Sequence, residues 1–334
     1  MSAIIAGVIS ILVVLGIATL VIHTNTTLDR AFLSLHHTTM IKGFAILMVV
    51  ISHIGDNSEV RVFSPLGAIG VAMFLICSGY GLHQSFMKKG LDGFFKRRLS
   101  KILTPYWIAV VFFYLIYPHE FTVLRLISNL LLLHTYEFWW FIQFLVMLYV
   151  MFYLVYRLVP ERMRVTVIGI LSVIFLLVVH NYLWSGQAFS FVIGIVLAQY
   201  SDKKIRLSKA WLIGGLGLLL GLLSLALKQT DFIRQSNYLV FNTNQVILNV
   251  ASAMGLIYLL YPLLKLKLIQ LFALAGTASY EIYLIHTLLI FMIKDRLSVT
   301  NVVLYVFVCG VVVMLFYWGN WRVGRVGKGH TLNI

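Results

Sequence analysis

The sequence predicts an all-α polytopic membrane helix bundle of about eleven transmembrane helices. Three observations predict it. Hydrophobic residues make up 61% of the chain and charged residues only 11%, with a mean hydropathy of +0.95, far from a soluble globular composition. Apolar stretches close to the ~20 residues that cross a hydrocarbon core recur along the whole length. Lys and Arg collect in every second connection, as cytoplasmic loops require.

The stretch 3–22 has neither a basic leader nor a small-residue cleavage site, so it reads as an anchor rather than a removed signal peptide. Next comes 40–54, short for a full crossing, which carries Lys42 and His53. The stretch 66–84 has Ser78-Gly79-Tyr80-Gly81 toward its end, where glycines allow a close helix contact or close approach of a ligand to the backbone. The stretch 102–118 is entered through FFKRRLSKILTPYW, Phe94 to Trp107, in which Pro105 starts or distorts the helix. Residues 123–134 are apolar but read as re-entrant or interfacial. Trp139 and Trp140 open 138–157, at a boundary where tryptophans form belts and where an indole face could also stack on a sugar. Spans at 165–184, 187–200 (again short), 209–227, 244–264, 270–292 and 299–319 complete the series.

With the N-terminus outside and the C-terminus cytoplasmic, inside loops hold Arg30 and Lys42, then Lys88 to Lys101, then Arg157, Arg162 and Arg164, with further Lys and Arg before 209, at 265–267 and in the tail. Only Arg61, Arg125, Lys228, Arg234, Lys294 and Arg296 fall outside. The net charge of +15 then reflects topology and contact with anionic membrane lipid. No basic and aromatic pattern points to nucleic acid. Cys77 and Cys309 both fall within spans, which gives no disulfide framework and no metal site. Without GxxxxGK[ST], GxGxxG, HExxH or CxxC, ATP hydrolysis, dinucleotide chemistry and zinc hydrolysis have no support. No inverted repeat of broken helices suggests an ordinary secondary transporter.

The remaining signals are local. Lys42 and His53 return to almost one helix face about 16 Å apart along the axis, and ionisable groups at membrane depth point to function. Arg97, Arg98 and Lys101 crowd the mouth of one span; they satisfy positive-inside topology, yet Arg98 and Lys101 share a face and an arginine fork binds phosphate. Ser279, Tyr283 and His286 form a polar stripe on a membrane helix, suited to helix association or to lining a polar cavity, while Glu281 points elsewhere. His36, His37, His119, His134, His180 and His330 fall at boundaries or tails and are assigned no chemistry.

In order and spacing, these segments resemble the membrane-bound acyltransferase-3 family: Lys42 to His53, Gly70 to Tyr80, Phe95 to Trp107, Glu137 to Leu145, Phe191 to Leu197 and Ser279 to His286. The likeness implies a ten-helix core over 40–319, preceded by an extra helix and linker in 1–39 and followed by a basic tail in 320–334. In that family the first core helix carries an arginine, ten residues and a histidine; here Lys42 stands for the arginine, and Arg98 and Lys101 stand for a pair of arginines. Lysine keeps the charge and loses the fork.

The resemblance implies an O-acetyltransferase of the plasma membrane that moves an acyl group from cytoplasmic acetyl-CoA to a hydroxyl of a cell-surface glycan, with no metal. Lys42, Arg97, Arg98, Lys101, Ser78 and Tyr80 would hold the acyl-CoA donor. Trp139, Trp140, Tyr283 and His286 would face the acceptor. His53 would act as general base or transient acyl carrier, oriented by Asp56 or by Glu281 from another helix. A second copy or an extracytoplasmic partner could complete the transfer. The competing readings are a polysaccharide exporter or flippase, or another transporter, and a nonenzymatic sensor or scaffold; neither would need His53.

Overall fold

In a computed structural model, residues 31–57, 61–136, 139–200, 205–264 and 267–293, together with 308, 310 and 311, are described. The expected span 3–22, most of 299–319, the tail 320–334, Glu137, Cys309 and His330 lie outside the described residues. Every regular element among the described residues is helical. The helices are α1 (Leu35–Asn57), α2 (Ser64–Lys89), α3 (Phe94–Ile116), α4 (Val123–Leu130), α5 (Trp140–Leu158), α6 (Arg164–Val178), the single turn α7 (Tyr182–Ser185), α8 (Ser190–Tyr200), α9 (Leu207–Gln229), the single turn α10 (Asp231–Arg234), α11 (Tyr238–Leu263), α12 (Lys267–Thr277) and α13 (Ser279–Ile293).

Seven segments among the described residues are long and apolar enough to cross a membrane: Leu35–Asp56, Arg61–Lys89, Phe94–Ile116, Trp140–Leu158, Tyr182–Tyr200, Leu207–Gln229 and Tyr238–Leu263. Two expected spans differ for local reasons. The stretch 165–184 leaves helical geometry at Val179, and Asn181 then caps a new turn by accepting from the Leu183 and Trp184 amides at 3.0 and 3.3 Å. The residues after it therefore join α8 in the span 182–200. The stretch 270–292 is broken at Ala278, just after Thr277, whose hydroxyl donates to the Leu274 carbonyl at 2.7 Å; such back-bonding bends helices.

α1 begins earlier than the apolar pattern suggests, because Ser34 caps it by accepting from the His37 amide at 3.2 Å. Lys42 therefore lies two turns inside the helix rather than at its boundary, and His37 is buried against Phe32 and Tyr261, with ring centroids 5.5 and 5.6 Å apart. Pro105 lies inside α3, which starts eleven residues earlier at Phe94. α4 is too short to cross. It exposes Leu124 and Val123 and buries Asn129, whose amide donates to the Tyr114 hydroxyl at 3.1 Å, so it is a surface helix tied to α3.

α1 and α2 form the centre. α1 packs against α2, α11, α12 and α13, and α2 also packs against α8 and α11. Without a hydrophobic drive inside lipid, such contacts depend on small residues that let backbones meet. A Cβ on Gly43 would collide with the Phe272 carbonyl, and one on Gly276 with the Thr39 carbonyl, so α1 and α12 cross at two glycines. Gly79 and Gly194 interlock α2 and α8 in the same way, against the Phe191 and Ile76 carbonyls. α1 and α2 are also tied where they meet in sequence, since the Ser52 hydroxyl donates to the Ser64 carbonyl at 3.1 Å.

Candidate active site

One cluster gathers at the His53 end of α1. The rings of His53 and His286 lie with centroids 5.4 Å apart at 41°, and His286 lies 5.6 Å from Tyr283. α13 brings them in because its break at Ala278 and its packing on both α1 and α3 turn its polar stripe inward. His286 is fully buried. Its Nδ1 is 3.0 Å from the Ile282 carbonyl, which can only accept, so Nδ1 carries the proton and Nε2 keeps its lone pair. That Nε2 is buried with no hydrogen-bond partner among the described residues.

Other members of this cluster are held firmly. Tyr283 is buried with its ring edge-on to Phe141 at 5.5 Å and its hydroxyl bonded to the Phe141 backbone. Ser279 is buried one turn earlier in the stripe. Asp56 is exposed one turn beyond His53, acts on it electrostatically, and accepts a hydrogen bond from the Ser64 hydroxyl. Glu281 lies in the first turn of α13, where a carboxylate suits the helix dipole, and acts on Tyr280.

A second cluster forms toward the other end of α1. Lys42, partly buried, reaches Cys77 of α2 electrostatically, and Tyr80 lies within reach of the same thiol. Arg98 of α3 donates to the Gly81 carbonyl at 3.5 Å. Tyr149 of α5 joins Ser78, by a hydrogen bond, to Arg98, by charge. The two glycines of Ser78-Gly79-Tyr80-Gly81 thus divide the two uses foreseen for them: Gly79 is filled by the Phe191 carbonyl, whereas a Cβ on Gly81 would meet open space.

Not every expected cation joins. Arg97 closes the turn between α2 and α3 by donating to the Gly90 carbonyl at 3.3 Å, and Gly90, at φ +59, ends α2 in a backbone conformation that favours glycine. Lys101 is exposed.

Trp139 departs from the interfacial belt. It is fully buried, edge-on to Tyr106 and Phe113 at 5.4 and 5.9 Å, because α3 and the turn before α5 close over it. Trp140 is partly buried and packs on Phe144 at 6.1 Å.

Two groups were missed from sequence. Tyr149 sits inside an unbroken apolar span and gave no signal. Asn242, Gln245 and Asn249 did give one, since they recur at i, i+3 and i+7 on one face of a membrane helix. Gln245 accepts from Lys228 at 2.6 Å and donates to Asn249 at 3.0 Å, which donates to the Gly186 carbonyl at 2.9 Å. Nearby, Gln187 donates to the Ala68 carbonyl at 2.8 Å, which ties this polar seam to the start of α2. Among the described residues no group of three or more His, Cys, Asp or Glu could hold a metal ion.

A model of the acyltransferase-3 family, described as an acyltransferase domain, matches residues 39–321. The chain belongs to the acyltransferase-3 family. No curated protein and no solved structure matches it. The match runs from α1 through α13, so both clusters fall inside the acyltransferase domain of this membrane acyltransferase.

Proposed function

We propose that this acyltransferase moves an acyl group, acetyl in the first instance, from cytoplasmic acyl-CoA to a hydroxyl of a cell-surface polysaccharide or related glycan in the plasma membrane. The observation that carries the reading is the buried pairing of His53 with His286, whose Nε2 has no hydrogen-bond partner among the described residues. A buried polar atom without a partner costs about 1–3 kcal/mol, so it persists where it has a task.

In this mechanism His53 accepts the proton of the acceptor hydroxyl as its oxygen attacks the thioester carbonyl. His286 accepts a hydrogen bond through Nε2 and so fixes which nitrogen of its neighbour, or which hydroxyl, faces the reacting carbon. The carbon–sulfur bond then breaks, and the imidazolium returns its proton to the departing CoA thiolate. Asp56, steadied by Ser64, stabilises the imidazolium. A variant of the same chemistry acylates the His53 imidazole first and passes the acyl group to the hydroxyl second.

The donor enters at the other cluster. Lys42 and Arg98 supply cations for CoA phosphates, Gly81 leaves room for the donor against the backbone, and Ser78, Tyr80 and Tyr149 provide hydroxyls beside them. The ~16 Å between Lys42 and His53 along α1 suits an extended pantetheine arm with its thioester at the histidines. The acceptor would be met by Trp140 and by the Asn242 to Asn249 seam, whose neighbour Gln187 bonds to the Ala68 carbonyl at the start of α2.

The test is transfer from labelled acetyl-CoA by the purified protein in proteoliposomes, comparing wild type with His53→Ala and Lys42→Ala. Loss of transfer in His53→Ala with the fold intact supports the reading. Transfer unchanged in His53→Ala, or no binding of acetyl-CoA by the wild type, overturns it.

A further inference from the structure

A pocket of about 320 Å³ opens between α2, α5, α6 and α8, walled by His83, Gln84, Tyr156, Glu161, Arg164 and Gln199 with Met87 and Val165 at its apolar side. It is separate from the donor cluster. His83 follows Gly81 by two residues, which places them about 200° apart around α2, so Arg98 and Arg164 approach opposite sides of one helix.

Arg164 is held in a way that topology alone does not need. Its guanidinium lies over the rings of Phe86 and Tyr156, 5.0 and 4.9 Å from their centroids, and its Nε donates to the Val159 carbonyl at 3.1 Å. Its terminal amines have no acceptor among the described residues. It is also the first residue of α6, where the helix dipole disfavours a cation and an anion would relieve it. His83 is held at 2.6 Å from the Tyr156 hydroxyl through Nδ1, leaving Nε2 for a ligand. Arg164 and Glu161 both act electrostatically on His83, so the pocket presents one guanidinium cation, an imidazole and one carboxylate within a single small volume.

We propose that this pocket holds the headgroup of a zwitterionic aminophospholipid, with its phosphodiester on Arg164 and His83 and its ammonium on Glu161. The paired charges match such a headgroup better than a bare anion, which Glu161 would repel. The rim matches the rest of the lipid: Met87, Met163 and Leu158 are 60%, 48% and 74% exposed at the ends of α2, α5 and α6, where acyl chains would lie against them. The pocket touches four helices, so an occupied site would brace α6 against the α2–α8 pair.

The experiment uses the full chain, delipidated in detergent, with binding of phosphatidylethanolamine and phosphatidylglycerol in mixed micelles measured by native mass spectrometry. Inorganic phosphate and CoA serve as soluble competitors. The wild type is expected to bind phosphatidylethanolamine about tenfold more tightly than phosphatidylglycerol, Glu161→Gln to lose that preference, and Arg164→Gln to lose about tenfold in affinity for both. Arg164→Lys, which keeps the charge without the fork, falls between and serves if Arg164→Gln does not fold. Equal binding by Arg164→Lys and wild type together with an unchanged preference in Glu161→Gln overturns the proposal. Displacement of the lipid by millimolar phosphate or by CoA also overturns it, since the pocket would then serve a soluble phosphate.

Discussion

His53 on α1 and His286 on α13 lie with their rings 5.4 Å apart although they come from opposite ends of the acyltransferase domain. The Nε2 of His286, buried without a partner among the described residues, makes this a costly arrangement for stability alone. We therefore expect His286→Phe, which keeps ring volume and removes the orphaned nitrogen, to leave the melting temperature unchanged or raised. Acyl transfer should fall by about 10²-fold, in the range of lost proton-transfer assistance. A melting temperature that drops with activity intact would make His286 a packing residue.

The four-residue run Ser78 to Gly81 separates packing from ligand access. Gly79→Ala drives a Cβ into the Phe191 carbonyl, and overpacking of this kind costs about 1–3 kcal/mol. Gly81→Ala meets open space and gains helix propensity of about 1 kcal/mol. Thermal unfolding in detergent should show the first destabilised and the second not. Gly81→Ala should nevertheless raise the KM for acyl-CoA, because the space its Cβ fills is the one the proposed function gives to the donor.

Arg98 and Tyr149 act together on the donor in the proposed function. Arg98→Ala should raise the KM for acyl-CoA about tenfold with kcat little changed, as expected for a phosphate contact made equally in ground and transition states. Lys101→Ala, at an exposed position, should change KM far less. Arg97→Ala should act on stability instead, because it unties the Gly90 turn.

Asn249 joins α11 to the loop at Gly186 and, through Gln245, to Lys228. Asn249→Leu leaves the Gly186 carbonyl and the Gln245 amide without this partner, and a loss of about 1–3 kcal/mol is expected in thermal unfolding. Restoration by Asn249→Gln would be limited, since the longer side chain must shift the seam.

The fold class and most helix positions were legible because membrane insertion imposes long apolar runs and sided charges that need no knowledge of neighbours. Where local chemistry competes with that pattern, the reading failed at particular residues. Ser34 caps α1 before its apolar run begins, Asn181 restarts a helix where hydropathy ran on, and Thr277 bends one that hydropathy showed as continuous.

The sequence by itself determined that the chain is an all-helical membrane protein, which residues could titrate at depth, and the order of segments that resembles the acyltransferase-3 family. Only the tertiary structure decided which of those residues meet. Spacing along one helix placed Lys42 and His53 on a common face, but it could not bring His286 to His53, Arg98 to Gly81 or Arg164 over Tyr156. Those meetings depend on helices approaching through glycines and on carbonyls that accept side-chain donors, and neither leaves a mark on hydropathy. Trp139 shows the same limit: its indole sits in the core because other helices cover it, a fact held in their packing and not in its own position along the chain.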